Sequence, residues 1–307
     1  MRLVADIGGT NSRLALARQG RVQPGTARSY RNDDFSGFDA VTDRFLADIG
    51  KPRITEVVVA VAGPVIGTCA RLTNRDWSFD AALITDRLGA ARGRLINDLT
   101  ALGYAVPVLE NRHLHPVAAG IVPDGPVRQS LVVGIGTGFN VSPVIQSGDM
   151  VLCPDVEMGH VTLPTGVAAA LETRQPGLSL GFPTVEDCFS GRGLTRLCAA
   201  LTGQGDLSPA QIVEAYGIVA DLTEAVDFYA DLIGCLLRDL LLAYMPMAGI
   251  YFAGSVARAL LSLPAASRLN TTFQHPFDIN IRVQCPLWII ADDRAGLLGC
   301  SRIAPMP

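Results

Sequence analysis

Two glycine-rich turns hold the residue types best suited to chemistry in this sequence. The first lies in Val4-Ala5-Asp6-Ile7-Gly8-Gly9-Thr10-Asn11-Ser12-Arg13-Leu14-Ala15-Leu16, the second in Val133-Gly134-Ile135-Gly136-Thr137-Gly138-Phe139-Asn140-Val141. Each runs from an apolar strand through a turn with a threonine into a second apolar strand. Glycine lets the backbone turn sharply and approach a ligand closely, and the N–H groups so exposed can form an anion-binding nest. Two such hairpins imply a duplicated fold that grips a polyphosphate from both sides, with a nucleotide as the candidate ligand.

Asp6 stands just before the first turn. A carboxylate beside a phosphate cradle is costly unless a cation lies between them, which implies Mg2+, an ion that keeps several waters and takes only one or two carboxylates. The competing role for Asp6 is a turn former that caps backbone N–H groups. The second copy of the turn, with Thr10 and Thr137, favours phosphate. Asn97-Asp98 follows the apolar run Leu95-Ile96. At a strand end a carboxylate can take the proton of a substrate hydroxyl while a neighbouring asparagine orients that hydroxyl. A helix cap at Asp98 is the alternative, and on this segment alone the cap has a slight edge. Glu157-Met158-Gly159-His160 lies between Pro154 and Pro164, and Glu186 opens Glu186-Asp187-Cys188-Phe189-Ser190-Gly191. Carboxylates with a neutral imidazole suit a polyhydroxylated ligand, because each carboxylate accepts from neighbouring hydroxyls. A metal site is the rival, yet Glu-x-x-His brings only two ligands. His113-Leu114-His115 reads as a surface loop, and Asp292-Asp293 as the cap of a helix from Arg294.

These residues need a scaffold. At 307 residues, 49% hydrophobic and 18% charged, the chain suits two packed domains, not a disordered protein. A net charge of −4 argues against nucleic acid as a partner. The single lysine, Lys51, sits in the Gly50-Lys51-Pro52 turn, which excludes a Walker A loop and a protein-kinase strand lysine. Seven cysteines without metal-ligand spacing read as reduced thiols, and a strand starts at Leu3 with no leader before it; a cytoplasmic location is expected. Of two uncharged stretches, 240–257 is broken by Pro246, Gly249 and Gly254, and 130–148 is the second hairpin itself, so no membrane span is expected.

Apolar runs predict strands at 3–7, 13–17, 56–62, 95–97, 131–135, 141–146, 249–253 and 287–291. Helical spacing predicts helices at 38–49, 79–88, 193–201, 220–245 and 294–302, with Asp80 or Ser78 as a cap after Trp77. Strands alternate with helices after each hairpin, which gives an α/β class with mixed sheets. The expected division is a small domain over 1–107, to which a C-terminal helix at about 294–307 returns, and a large domain over 108–293.

Taken in order, several segments resemble the bacterial ATP-dependent glucokinases of the non-ROK type, within the hexokinase–actin–sugar-kinase group. They are Asp6 to Leu14, Leu72-Thr73-Asn74-Arg75-Asp76-Trp77, Ile96-Asn97-Asp98, Gly136-Thr137-Gly138, Glu157 to His160, Glu186 to Gly191 and Gly296-Leu297-Leu298-Gly299. The resemblance implies an actin-like ATPase (ribonuclease H-like) fold, two duplicated α/β domains with mixed sheets around a cleft that closes on the sugar. It implies transfer of the γ-phosphoryl of ATP to the 6-hydroxyl of D-glucose, with Asp98 as general base and Asn74, Asn97, Asp98, Glu157, His160 and Glu186 on the sugar. It places Asp6, Gly8, Gly9, Thr10, Asn11, Gly136, Thr137 and Gly138 on the phosphates and Gly254 and Ser255 at the adenosine, with Asp6 steering Mg2+ through water. A homodimer is implied as well. A kinase for another hexose or an amino sugar, and a catalytically silent sugar sensor, are the alternatives; a polyphosphate donor stays open beside ATP. Three positions depart from the family pattern: Asn140, Met158 and Ser255 each stand where a glycine is usual. Asn140 is expected to tolerate a left-handed backbone, Ser255 to cap the following helix, and Met158 to add bulk near the sugar.

Overall fold

Near-continuous Val, Ile and Ala runs become the central strands of two mixed sheets. The computed structural model describes residues 1–122, 124–205, 207–279 and 285–304. It divides into one unit of Met1–Glu110 and Asp292–Pro307 and another of Asn111–Ala291.

In the first unit the main sheet has the order Arg21–Val22, Asn11–Arg18, Arg2–Ile7, Glu56–Val61, Arg92–Asn97, and Arg28–Arg31 also pairs with Asn11–Arg18. The opening hairpin is antiparallel, whereas Arg2–Ile7, Glu56–Val61 and Arg92–Asn97 run parallel. Leu3, Val4 and Ala5 are all fully buried, as continuous apolar strands covered on both faces must be. The parallel strands finish level, Ile7 beside Val61 and Val61 beside Asn97. Helix Phe38–Asp48 buries Phe38, Val41 and Phe45. Helix Ala81–Leu88 starts later than expected, because Ser78–Asp80 forms a strand and the Asp80 carboxylate accepts from the N–H of Ala82 at 2.8 Å. The last helix, Ala295–Arg302, belongs to this unit and packs on helix Asp98–Ala105. Its expected end, residues 305–307, lies outside the described residues. Arg2 grips Glu56 at 2.9 and 3.0 Å and donates to the carbonyls of Ser301 and Ile303, both at 2.8 Å.

In the second unit the sheet order is Leu114–Ala118, Leu287–Ile290, Gly249–Ala253, Val127–Ile135, Phe139–Ser147, Met150–Leu152. His113 is buried and Leu114–Ala118 is an edge strand, so the expected surface loop there is replaced by sheet. Helix Ala220–Tyr244 is the spine of this core; Leu222, Val226, Tyr229, Ile233, Leu236 and Leu240 are buried, as their three- and four-residue spacing predicts. It stops where Met245 turns left-handed (φ +45°). Among the described residues no helix is long and apolar enough to cross a membrane.

Candidate active site

The first turn is closed by the Gly8 N–H on the Asn11 carbonyl at 2.9 Å. Its carbonyls are drawn to the protein side. Asn32, fully buried, donates to the carbonyls of Gly8 (2.7 Å) and Gly9 (3.2 Å), accepts from the Ser12 hydroxyl (2.7 Å), and its own N–H reaches the Thr10 carbonyl. Arg75 adds a bond to the Gly9 carbonyl at 3.2 Å, and Asn74 lies against Gly9. Carbonyls held this way are turned from a bound anion, the requirement of a phosphate nest.

Asp6, the last residue but one of its strand, pairs with Arg13, whose guanidinium reaches Asp6 at 4.0 Å and Asp293 at 3.5 Å. The Asp6 carboxyl also nests where a Cβ on Gly296 would stand 2.7 Å away, so a side chain there would push the carboxyl aside. Asn97 ends the level strand Arg92–Asn97. It is the true cap of helix Asp98–Ala105: its Oδ1 accepts from the Leu99 N–H at 2.9 Å, and its amide donates to the Gly63 carbonyl at 3.1 Å. Asp98 is the first helical residue, not the cap, and its Oδ1 shares the Leu99 N–H at 3.0 Å. Burial, then the charge of Asp98, pushes the Asp6 carboxyl up to about 7 against the pull of Arg13. Burial pushes Asp98 up to about 6 against hydrogen bonds from the Leu99 N–H, its own N–H and Asn97. An acid tuned near neutrality is ionised at physiological pH yet basic enough to take a proton.

In the second unit the turn closes through the Gly136 N–H on the Gly138 carbonyl (3.0 Å), and the Gly136 carbonyl accepts from the Gly191 N–H (2.8 Å). Gly254 sits against this turn at φ +93°, where a side chain would both be strained and strike the Ile135 carbonyl. Ser255 is the exposed first residue of helix Ser255–Leu260. Gly254 occupies the cap position without a side-chain bond, so the cap expected from Ser255 is absent. Asp292 accepts from the Arg294 N–H at 2.8 Å, one residue ahead of helix Ala295–Arg302, which has no side-chain cap either. Glu186 accepts from the Phe139 N–H (3.0 Å) and from Arg192 (3.0 Å), packing where Gly138 lacks a Cβ. Glu157 precedes the short 3-10 turn Met158–His160, and both Glu157 and His160 are exposed. The Met158 thioether lies 3.9 Å from the Tyr244 hydroxyl. Asn140 lies in ordinary extended strand, so the left-handed tolerance expected of it is not used.

The expected residues thus gather as two sets. One is Asp6, Gly8, Gly9, Thr10, Asn11, Asn74, Asn97 and Asp98; the other is Gly136, Thr137, Gly138, Glu157, His160, Glu186, Gly254 and Ser255.

A family model described as glucokinase matches residues 3–306. The chain belongs to the glucokinase family. Its relatives include a glucokinase of Salmonella typhi, 29% identical over 306 residues, which span 97% of this chain and 94% of that one. A solved glucokinase from an Antarctic psychrotroph superposes with a TM-score of 0.80 at 25% identity, covering 98% and 97% of the two chains. A ROK family glucokinase from Streptomyces griseus, in complex with glucose and AMPPNP, shares the fold at a TM-score of 0.61, 18% identity and coverage of 97% and 98%. The architecture is therefore the mixed α/β, actin-like ATPase fold of these sugar kinases, and family membership makes the chain an ATP-dependent hexose kinase.

Asn32 and Arg192, which hold the first turn and Glu186, lie outside the glucokinase motifs read from the sequence. Asn32 sits 24 residues from the Gly8 carbonyl it holds, with nothing in its neighbourhood to mark it. Among the described residues no three His, Cys, Asp or Glu side chains converge as a metal cage, and all seven cysteines are unpaired.

Proposed function

We propose that the chain phosphorylates D-glucose at its 6-hydroxyl with ATP, giving glucose 6-phosphate and ADP, and that Asp98 is the general base. The observation that carries this reading is Asp98 itself, a carboxyl at a strand end, tuned to about 6, with Asn97 in the cap position before it. Asp98 takes the proton of the 6-hydroxyl as that oxygen bonds to the γ-phosphorus and the bridging bond to ADP breaks. Glu157, His160 and Glu186 accept from the remaining hydroxyls and fix which one faces the base, with Asn74 and Asn97 as further sugar contacts. The turns Gly8–Asn11 and Gly136–Gly138 receive the phosphates, and Gly254 and Ser255 the adenosine. Asp6, with burial and Asp98 raising its proton affinity and Arg13 beside it, is the carboxylate that would hold a hard cation through water. Mg2+ bound there supplies charge neutralisation of the transferring phosphoryl group.

A coupled ADP-release assay tests this. Asp98→Asn should fold, bind glucose and lose turnover by roughly 10²–10⁴-fold. Wild-type turnover in that variant would remove Asp98 from the mechanism.

A further inference from the structure

We propose that Asn140 is a positioning residue that locks Glu157, so that the phosphate-side hairpin itself sets the sugar grip; this rests on the role given to Glu157 above. An amide offers two N–H donors and two principal acceptor sites. Asn140 uses all four: its Oδ1 accepts from the N–H of Val141 (2.8 Å) and of Met158 (2.9 Å), and its Nδ2 donates to the Val156 carbonyl (2.8 Å) and the Glu157 carboxylate (3.2 Å). The reversed amide would set oxygen against two oxygens and N–H against two N–H groups, so the assignment is forced by chemistry. Three of the four bonds go to Val156, Glu157 and Met158, which fixes the backbone on either side of Glu157 as well as its carboxylate.

The neighbouring residue does the same for the second acid. The Phe139 N–H donates to Glu186 at 3.0 Å, so two consecutive residues at the start of one strand hold both sugar-side carboxylates. That strand leaves the Gly136–Gly138 turn directly, so the same hairpin that carries the turn also carries the bonds to both acids. A glycine at 140 would keep the strand and lose the lock on Glu157.

The test is a double-mutant cycle on the full chain. Asn140→Ala should raise the KM for glucose by roughly tenfold or more while the KM for ATP stays within about twofold. Asn140→Asp, which keeps both accepting bonds but sets a second carboxylate against Glu157 and the Val156 carbonyl, should raise it at least as far. In a Glu157→Gln background, Asn140→Ala should add little, because the two residues act as one unit. An unchanged glucose KM in both variants, equal rises for glucose and ATP, or additive effects with Glu157→Gln would overturn the inference. Glucose phosphorylation by the unaltered chain tests the proposed function separately: its presence with unchanged Asn140 variants sinks this inference alone.

Discussion

Asp98 and Asp6 are two acids whose environments oppose their charge, and that has a cost in stability. Burial holds both carboxyls above their ordinary values, to about 6 and about 7. A carboxyl whose folded value is raised binds its proton more tightly in the folded chain. Its contribution to stability is then fully present below about pH 4 and lost as pH rises through 6 to 7. In the absence of cation and nucleotide, the Tm should therefore fall between pH 5 and pH 8. Asp98→Asn should melt higher than the unaltered chain at pH 8, with the difference closing near pH 4, while its turnover collapses. A melt of the variant that is lower at pH 8 would mean that Asp98 supports the fold and is not held there at its expense. The same group predicts the rate profile: kcat/KM should decline as pH falls through about 6, where Asp98 takes up its proton.

The turns are the elements that matter, and each is rigid because of something outside it. The first depends on Asn32, which holds three successive turn residues from a fully buried position. Asn32→Ala should raise the KM for ATP by roughly tenfold and lower Tm, since it strands the Ser12 hydroxyl and removes the side-chain bond to the Gly8 carbonyl. A shift in the KM for glucose alone would contradict that role. Helix Ala220–Tyr244 offers the opposite case. The Tyr229 hydroxyl is buried and, among the described residues, has no hydrogen-bond partner. Tyr229→Phe should stabilise by about 1 kcal/mol without altering kinetics, because an unsatisfied buried hydroxyl is a penalty the phenyl ring lacks; destabilisation would show a partner that the geometry omits. These elements also show what a sequence reveals. Helix Ala220–Tyr244 and both hairpins were legible because their signals are local: a 3.6-residue stripe and Gly-rich turns between apolar strands. Helix Asp98–Ala105 was not, since Leu99 to Ala101 and Gly103 to Ala105 are all buried and leave no periodicity to read. Helix Thr165–Arg174 buries only Val167 and Leu171, too few positions to draw an apolar stripe in the sequence. In the site, Asp6 and Asp98 announce themselves beside strand ends, whereas the bonds from Asn32 and Phe139 span 24 and 47 residues and exist only once the chain has folded.

At the scale of the whole molecule, the two units are built differently. Residues 111–291 are continuous, and the ends of that segment are joined by its own sheet. The Ala291 N–H donates to the His113 carbonyl at 2.8 Å, and Leu114–Ala118 pairs with Leu287–Ile290. Its core, from Leu131 and Val133 through Tyr229 and Leu236 to Phe252 and Leu269, is complete within it. The other unit needs both ends of the chain, because Arg2 ties the carbonyls of Ser301 and Ile303 to Glu56, and Gly296 backs Asp6. A fragment of residues 111–291 should therefore melt cooperatively by itself, its size being that of an ordinary domain. A fragment of 1–110 should not, until residues 292–304 are restored through a short glycine–serine joint in place of the excised segment. Far-UV circular dichroism against temperature decides both. A sloping, non-cooperative melt of the 111–291 fragment would mean that its core relies on the rest of the chain, and a cooperative melt of 1–110 alone would mean that the returning helix adds function but not fold.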